Sequence, residues 1–167
     1  MSHPEQPPAH HWGAFAHRGF LLYFVARFCA NFSVNVVSVA VGWQVYDLTK
    51  DPLDLGIIGL VQFAPALALV LVTGAVADRF NRRIVMALCM TAEAVLILAL
   101  LAFTLSGSGD VRIVFAILLG LGTARAFIGP AANSLAPNLV PPEQLGNAIA
   151  WTSSAWQFAT IVGPVTG

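Results

Sequence analysis

A short charged stretch lies between two long apolar runs, and it limits the fold of this chain more than any other feature. The stretch, residues 74–83, reads Gly-Ala-Val-Ala-Asp-Arg-Phe-Asn-Arg-Arg. About twenty apolar residues precede it and about twenty follow it, the length that an α-helix needs to cross the hydrocarbon core of a bilayer. The pattern predicts two membrane helices joined by a tight basic turn, here called the arginine turn (residues 74–83).

The composition agrees with a membrane fold. Of the 167 residues, 57% are hydrophobic and only 10% are charged, whereas a soluble domain carries about 25% charged residues. A water-soluble fold of this size could not cover so much apolar surface, so the solvent of the chain is lipid. The formal net charge is zero, which gives no argument for a nucleic-acid partner.

Five apolar segments follow one another, and each is predicted to be a membrane helix. They cover about residues 20–46, 55–77, 84–105, 113–132 and 145–167. Small residues in the second segment allow close helix contact, and Pro65 predicts a bend there. The last segment has no polar stretch behind it. We therefore expect residues 19–167 to form a truncated N-terminal transmembrane domain of an all-α membrane protein.

The first eighteen residues differ from the rest of the chain. They are polar and rich in proline, without the basic start and apolar core of a signal peptide. A disordered cytoplasmic tail over residues 1–18 is the prediction. Four histidines lie in or just after it: His3, His10, His11 and His17. A metal site at these histidines is the alternative, but we expect no metal and no cofactor.

Basic residues in the short loops predict the orientation. Four lie on the side of the N-terminus, namely Arg18, Arg79, Arg82 and Arg83, and two lie on the opposite side, namely Lys50 and Arg112. Cytoplasmic loops carry the excess of arginine and lysine. The sequence therefore predicts a multi-pass protein of the cell (inner) membrane with a cytoplasmic N-terminus.

Three charges fall inside the predicted spans. At 1.5 Å per residue, Arg27, Glu93 and Arg125 lie about 10–15 Å from the cytoplasmic edge, where an unpaired charge is expensive. One interpretation is snorkelling or a structural charge pair that uses Glu93. The other is a water-filled cavity lined by Arg27, Asn31 and Asn35, which share one helix face, and by Arg125. In that case Arg125 binds an anionic group or biases a nearby proton site.

The arginine turn resembles the loop signature of the major facilitator superfamily, G-x-x-x-D-R-x-G-R-[RK]. The matching residues are Gly74, Asp78, Arg79, Arg82 and Arg83. Asn81 stands where the family has glycine, and because asparagine tolerates a left-handed backbone we expect the tight turn to survive. Gly74 is expected to let two helices approach closely. The resemblance implies that Asp78 helps to latch the outward-facing state against the second half of the transporter.

Other stretches extend the resemblance. Arg125 and Gly129 are similar to the fourth-helix R-x-x-x-G pattern tied to proton coupling. Residues 159–167 are similar to the fifth-helix G-x-x-x-G-P-x-x-G-G pattern of exporters, with Ala159 in place of the first glycine. The positions that match are Gly163, Pro164 and Gly167. Residues 43–49, 59–65 and 139–148 resemble the enterobactin-exporter-like branch of the family.

The resemblance implies a twelve-helix, two-half transporter, of which this chain would supply about five helices of the first six-helix half. The expected function is secondary active, proton-coupled export of a small organic molecule such as a siderophore or drug. The expected partners are the substrate, the lipid bilayer, protons and the missing C-terminal half. An inactive fragment and a structural membrane subunit remain alternatives. We expect no enzyme, because no HExxH, GxSxG or Walker pattern lies near the spans.

Overall fold

The computed structural model describes residues 13–107, 109–135 and 138–167, and nearly all of these residues are helical. The α-helices are α1 (Arg18–Thr49), α2 (Pro52–Ala68), α3 (Val70–Arg79), α4 (Arg82–Leu105), α5 (Val111–Leu135) and α6 (Leu145–Thr166). Short 3-10 turns at Gly13–Ala16 and Pro142–Gln144 precede α1 and α6. The described ranges contain no strand. The prediction of an all-α fold is confirmed.

The link between α1 and α2 shows how local chemistry ends one helix and starts the next. Lys50 closes α1 in the left-handed region, with φ 56° and ψ 19°, and its N–H bonds the carbonyl of Tyr46. Asp51 then accepts a hydrogen bond from the N–H of Leu53 at 2.9 Å, and Pro52 occupies the first helical position. A capping carboxylate followed by proline is a strong helix start.

The second apolar segment is bent. It forms the two helices α2 and α3, which meet at an angle of 53°. Pro65 lies inside α2, as the sequence predicts for a bend, but the break falls at Leu69, one turn later. A proline removes a hydrogen bond within the turn that precedes it, so Pro65 alone does not account for the position of the break.

Helix length and apolar composition identify the candidate membrane spans. Among the described helices, three, α1, α4 and α5, are long and apolar enough to cross a bilayer, and the bent pair α2–α3 is a fourth if it forms one span. The fifth predicted span corresponds to α6. This helix has 22 residues, but it is not apolar enough to count among the candidate membrane spans. Its middle carries polar residues between Thr152 and Gln157, and these lower its hydropathy.

The helices pack around α5 and along α1. Helix α5 lies against α2, α3 and α4, while α6 lies mainly against α1. At the Thr49 end, buried residues of α1, α2, α4 and α5 form one apolar cluster: Val41, Val45, Ile58, Leu100, Val114, Leu118 and Leu121. A second cluster at the arginine-turn end joins the start of α4 to the end of α5. The two clusters fix the relative positions of the spans.

The outer faces of the helices carry large apolar side chains. Leu22 is 72% exposed, and Leu71 and Val165 are each 84% exposed. Such a surface is unfavourable in water because its apolar area cannot be buried, but it is suited to lipid. The exposure therefore agrees with the predicted membrane fold.

The bundle starts earlier than residue 18, the expected boundary of the N-terminal tail. The turn at Gly13–Ala16 packs on the bundle, with Ala14 fully buried. The ring of Phe15 meets those of Phe24 and Trp151 edge-on, with centroids 5.1 and 5.2 Å apart. Aromatic packing of this kind fixes the chain before α1 begins.

Three of the four histidines, His3, His10 and His11, lie outside the described residues. The fourth, His17, precedes α1 without a capping side-chain hydrogen bond. Within the part of the chain that the structure describes, no group of three histidine, cysteine, aspartate or glutamate side chains could hold a metal ion.

Candidate functional site

A polar network crosses three helices inside the apolar bundle. The Arg125 Nε on α5 donates to the Glu93 Oε1 on α4 at 3.1 Å, and the two side chains form an ion pair. The Arg125 Nη1 donates to the Gln62 Oε1 on α2 at 2.8 Å. Glu93 is only 4% exposed. A buried carboxylate is stable at such a site only when a cation and hydrogen bonds compensate it.

A glycine places Gln62 within reach of Arg125. A Cβ atom on Gly122 would lie 2.5 Å from the backbone oxygen of Gln62, so α2 and α5 touch at this point. Gly122 precedes Arg125 by three residues, about one helical turn. Small residues at helix contacts let backbones approach in membranes. The close approach thus positions the amide of Gln62 beside the guanidinium.

A second polar feature is a partly open cavity of about 540 Å³ between α1, α6 and the end of α5. Its polar lining comes from Tyr23, Arg27 and Asn31 on α1, Asn133 on α5, and Thr152, Ser153 and Gln157 on α6. The α1 residues follow each other at intervals of four, which places them on one helix face. The hydroxyl of Tyr23 also donates to the carbonyl of Ala132 at 3.4 Å.

Helix α1 separates the network from the cavity. A different face of α1, which includes Cys29 and Ser33, lies with Glu93 at a second opening of about 440 Å³. Arg125 is bound to Glu93 and does not line the cavity of Arg27. Of the two sequence interpretations, the charge pair therefore describes Arg125 and Glu93, while Arg27 and Asn31 line a cavity.

Asn35 does not line the cavity either. Its Nδ2 donates to the backbone oxygen of Asn31 at 2.8 Å, and its Cβ lies against Gly163 of α6. Gly167 packs in the same way against the backbone of Val36. The exposed Pro164 lies between these two contacts. The segment that resembles the exporter pattern is thus the contact surface of α6 with α1.

The arginine turn has a different geometry from the one expected at Asn81. Its φ of −63° and ψ of 112° are not left-handed, and its side chain accepts a hydrogen bond from the N–H of Arg83 at 3.0 Å. Asn81 is therefore the N-cap of α4, which explains why asparagine is suited to the position. The Arg82 Nη1 donates to the carbonyl of Ser134 at 3.4 Å and ties the turn to α5.

The remaining signature residues face outward. Asp78, Arg79 and Arg83 are exposed, and none of the three forms an ion pair among the described residues. A Cβ on Gly74 would meet no atom within 4 Å. The expected close helix approach at Gly74 therefore does not occur among the described helices.

The comparison with protein families decides the classification. The family model described as Major Facilitator Superfamily matches residues 23–167. The chain belongs to the Major Facilitator Superfamily. This family consists of membrane transporters, so the network and the cavity lie in a transporter fold.

A curated relative within the Major Facilitator Superfamily is the uncharacterized MFS-type transporter YkuC of Bacillus subtilis (strain 168). The two sequences are 28% identical over 150 residues, which cover 89% of this chain and 34% of the relative. The chain thus spans about one third of the length of that relative. No solved structure matches the chain at a significant level.

Several residues of the site in this Major Facilitator Superfamily chain were not singled out from the sequence. Gln62 and Gly122 complete the network, and their role depends on a contact between helices 60 residues apart in sequence. The cavity residues of α6 did have a local signal. Thr152, Ser153 and Gln157 are a polar patch in an otherwise apolar segment, and a polar face on a membrane helix points to an interior or cavity surface.

Proposed function

We propose that this chain is the N-terminal part of a secondary active transporter that exports small organic molecules. The observation that carries the proposal is the cavity of about 540 Å³ between α1, α5 and α6, which has a polar lining in a bundle with apolar outer faces. Polar residues at membrane depth are costly and mark substrate or ion pathways. Transporter sites of this kind lie between helices near the middle of the bilayer.

Proton coupling is proposed for the network of Glu93 and Arg125. Glu93 is the one carboxylate within the middle of the described helices; the other acidic residues of the described ranges lie at helix ends or in loops. A proton that binds Glu93 removes the charge that holds Arg125. Arg125 then loses its ionic partner, and the contact of α4 with α5 weakens. Proton binding would in this way favour one conformation over the other.

The proposed direction rests on α6. The resemblance of residues 159–167 to the exporter pattern, together with the enterobactin-exporter-like stretches, favours export of a siderophore-like or drug-like molecule. The close contacts of Gly163 and Gly167 with α1 support a structural role for this pattern. Because α6 and α1 both line the cavity, a change in their contact would change access to it.

The proposed partners follow from the same architecture. A two-half transporter alternates by rocking its halves around one site, so a C-terminal half is required. Asp78 is exposed and available for a contact with that half. Arg79 and Arg83 are also exposed, and basic side chains favour the anionic cytoplasmic leaflet by about 1 kcal/mol each. We therefore propose the inner membrane with a cytoplasmic N-terminus.

Flux through proteoliposomes tests the proposal. The full-length protein is reconstituted with a pH-sensitive dye inside, and candidate siderophores and drugs are added with and without an imposed pH gradient. We expect substrate addition to move protons, and a pH gradient to drive accumulation. Glu93→Gln should abolish gradient-driven accumulation and retain exchange of substrate for substrate, while the exposed control Glu143→Gln should behave as wild type.

The second candidate is a structural membrane subunit without transport of its own. The chain spans about one third of the length of YkuC, and alternation by rocking of two halves around one site needs both halves. Folded full-length protein that moves none of the substrates in either direction would support this candidate. Accumulation that Glu93→Gln leaves unchanged would contradict proton coupling through the network.

A further inference from the structure

The charge balance of the cavity between α1, α5 and α6 points to the chemical class of its ligand. Among the described residues that line it, Arg27 is the one that carries a charge. Arg27 forms no ion pair with any residue that the structure describes. No described residue therefore compensates the positive charge of Arg27 in this cavity.

The fold keeps the nearest buried carboxylate away from Arg27. Glu93 lies with Cys29 and Ser33 at a different face of α1, and it forms an ion pair with Arg125. Glu93 does not line the cavity of Arg27, and no ion pair joins the two side chains. An arginine at membrane depth needs an anionic or hydrogen-bonding partner. The hydroxyl of Tyr23 interacts with Arg27 but is neutral, and the described part of the chain supplies no anionic partner.

The rest of the lining suggests the shape of that partner. Amide groups of Asn31, Asn133 and Gln157 line the cavity with Arg27 and can donate further hydrogen bonds to an oxyanion. Trp156 and Ile149 line it as well, and they provide an apolar wall on which a ring can pack. A ligand with an acidic group and an aromatic body fits both parts.

We infer that the cavity binds an organic anion whose acidic group meets Arg27 and whose ring packs on Trp156. This inference rests on the proposed transport of small organic molecules and narrows the substrate class to aromatic acids. Arginine is suited to this role because its planar guanidinium binds a carboxylate through two parallel hydrogen bonds. The phosphate of an anionic lipid shares the anionic chemistry, so the test must separate the two sources.

Two probes of nearly equal size distinguish the contribution of charge to binding from the contribution of shape. 2-Naphthoate carries a carboxylate, and 2-naphthamide is its neutral counterpart. Binding of each is measured to the full-length protein in nanodiscs of phosphatidylcholine. We expect 2-naphthoate to bind about tenfold more tightly, the order expected for one charge-assisted contact. Equal binding of the two probes, including no measurable binding of either, overturns the inference.

Variants assign the preference to Arg27. Arg27→Gln should remove the preference and leave 2-naphthamide binding unchanged, which also shows that the variant is folded. Arg27→Lys should retain only part of the preference, because the charge remains but the paired hydrogen bonds of the guanidinium are lost. The exposed cation Arg112 at the start of α5 is the matched control, and Arg112→Gln should keep the full preference. A preference that survives Arg27→Gln overturns the assignment.

A lipid-competition measurement and a transport measurement complete the test. Phosphatidylglycerol added to the nanodiscs should not displace 2-naphthoate; full displacement assigns the cavity to lipid and overturns the inference. Proteoliposomes that transport 2-naphthamide but not 2-naphthoate would contradict the anion class and leave the transport proposal intact. Binding of 2-naphthoate through Arg27 without transport of any substrate would support the site and contradict the transport proposal.

Discussion

Gly163 of α6 and Asn35 of α1 lie so close that a Cβ atom on Gly163 would come within 2.5 Å of the Cβ of Asn35. One turn later, a Cβ on Gly167 would lie 2.7 Å from the carbonyl oxygen of Val36. Ala159, one turn earlier, is fully buried. Close packing against α1 therefore requires small residues at Gly163 and Gly167, two of the positions that the resemblance to exporters had singled out.

Replacement of Gly163 by alanine should loosen the contact between α1 and α6. The added methyl group meets an atom bonded directly to the α1 backbone, so the helices must separate, and overpacking of this kind costs about 1–3 kcal/mol. The higher helix propensity of alanine offsets about 1 kcal/mol of this cost. We expect Gly163→Ala to lower the free energy of unfolding by up to about 2 kcal/mol, measured by steric trapping in bicelles.

Gly146, at the start of the same helix, provides the control. A Cβ there would meet no atom within 4 Å, so only the propensity gain applies. Gly146→Ala should leave the stability unchanged or raise it slightly. Equal destabilisation by both substitutions would contradict a specific contact at Gly163.

A second pair of glycines tests the contact that builds the polar network. In Gly122→Ala, the added Cβ atom would lie 2.5 Å from the backbone oxygen of Gln62. A backbone atom cannot move aside as the end of a flexible side chain can. After the same offset of about 1 kcal/mol for helix propensity, we expect a loss of up to about 2 kcal/mol in the free energy of unfolding, measured by steric trapping in bicelles. Gly129→Ala, on the same helix and without a neighbour within 4 Å, should cost nothing. An intact contact in Gly122→Ala, shown by a crosslink between α2 and α5, would contradict the prediction.

The sequence predicted the helices well and their contacts poorly, for a physical reason. Helix bounds depend on local signals such as the capping Asp51 and the apolar runs, and these lie in the sequence itself. The partner of Arg125 depends on which faces of α2, α4 and α5 meet. Packing between residues that are distant in the sequence, such as Gly122 and Gln62, decides which helix faces meet. The hydrophobic periodicity of the sequence carries no information about such contacts. The arginine turn shows the same limit, because Asn81 was expected to be left-handed and is an N-cap.

Substitutions of Asn81 distinguish a helix cap from a left-handed turn. Asn81→Ala removes the acceptor of the Arg83 N–H and should lower the stability by about 1 kcal/mol. Asn81→Asp keeps the cap and should be close to neutral. Asn81→Gly, which restores the residue usual in the family, should cost a few tenths of a kcal/mol, roughly as for other caps. Thermal unfolding in detergent measures all three, and stabilisation by glycine would contradict the cap.

The orientation in the membrane is tested by cysteine labelling. In a background with Cys29→Ala and Cys89→Ala, single cysteines replace Phe80 at the arginine turn and Leu53 at the other end of the α2–α3 pair. Both positions are well exposed, at 62% and 68%. An impermeant maleimide should label Leu53→Cys in intact cells and Phe80→Cys only after lysis. Labelling of Phe80→Cys in intact cells would reverse the proposed topology.

The ion pair between Arg125 and Glu93 should show strong and asymmetric coupling. Arg125→Gln leaves the carboxylate of Glu93 buried without a cation, and loss of one partner of a buried pair costs about 3–5 kcal/mol. Glu93→Gln should cost less, because Arg125 keeps its hydrogen bond to Gln62 at 2.8 Å and the new amide oxygen can still accept the Nε–H.

The double variant Arg125→Gln with Glu93→Gln decides between a coupled pair and two independent charges. If the pair is coupled, the second substitution removes the unpaired carboxylate and should restore more than half of the stability that Arg125→Gln loses. If each side chain instead reaches water at the membrane surface, the two costs add. Unfolding free energies of the four proteins, measured in the same bicelles, give the coupling directly. Additive costs would contradict the ion pair as the element that holds α4 against α5.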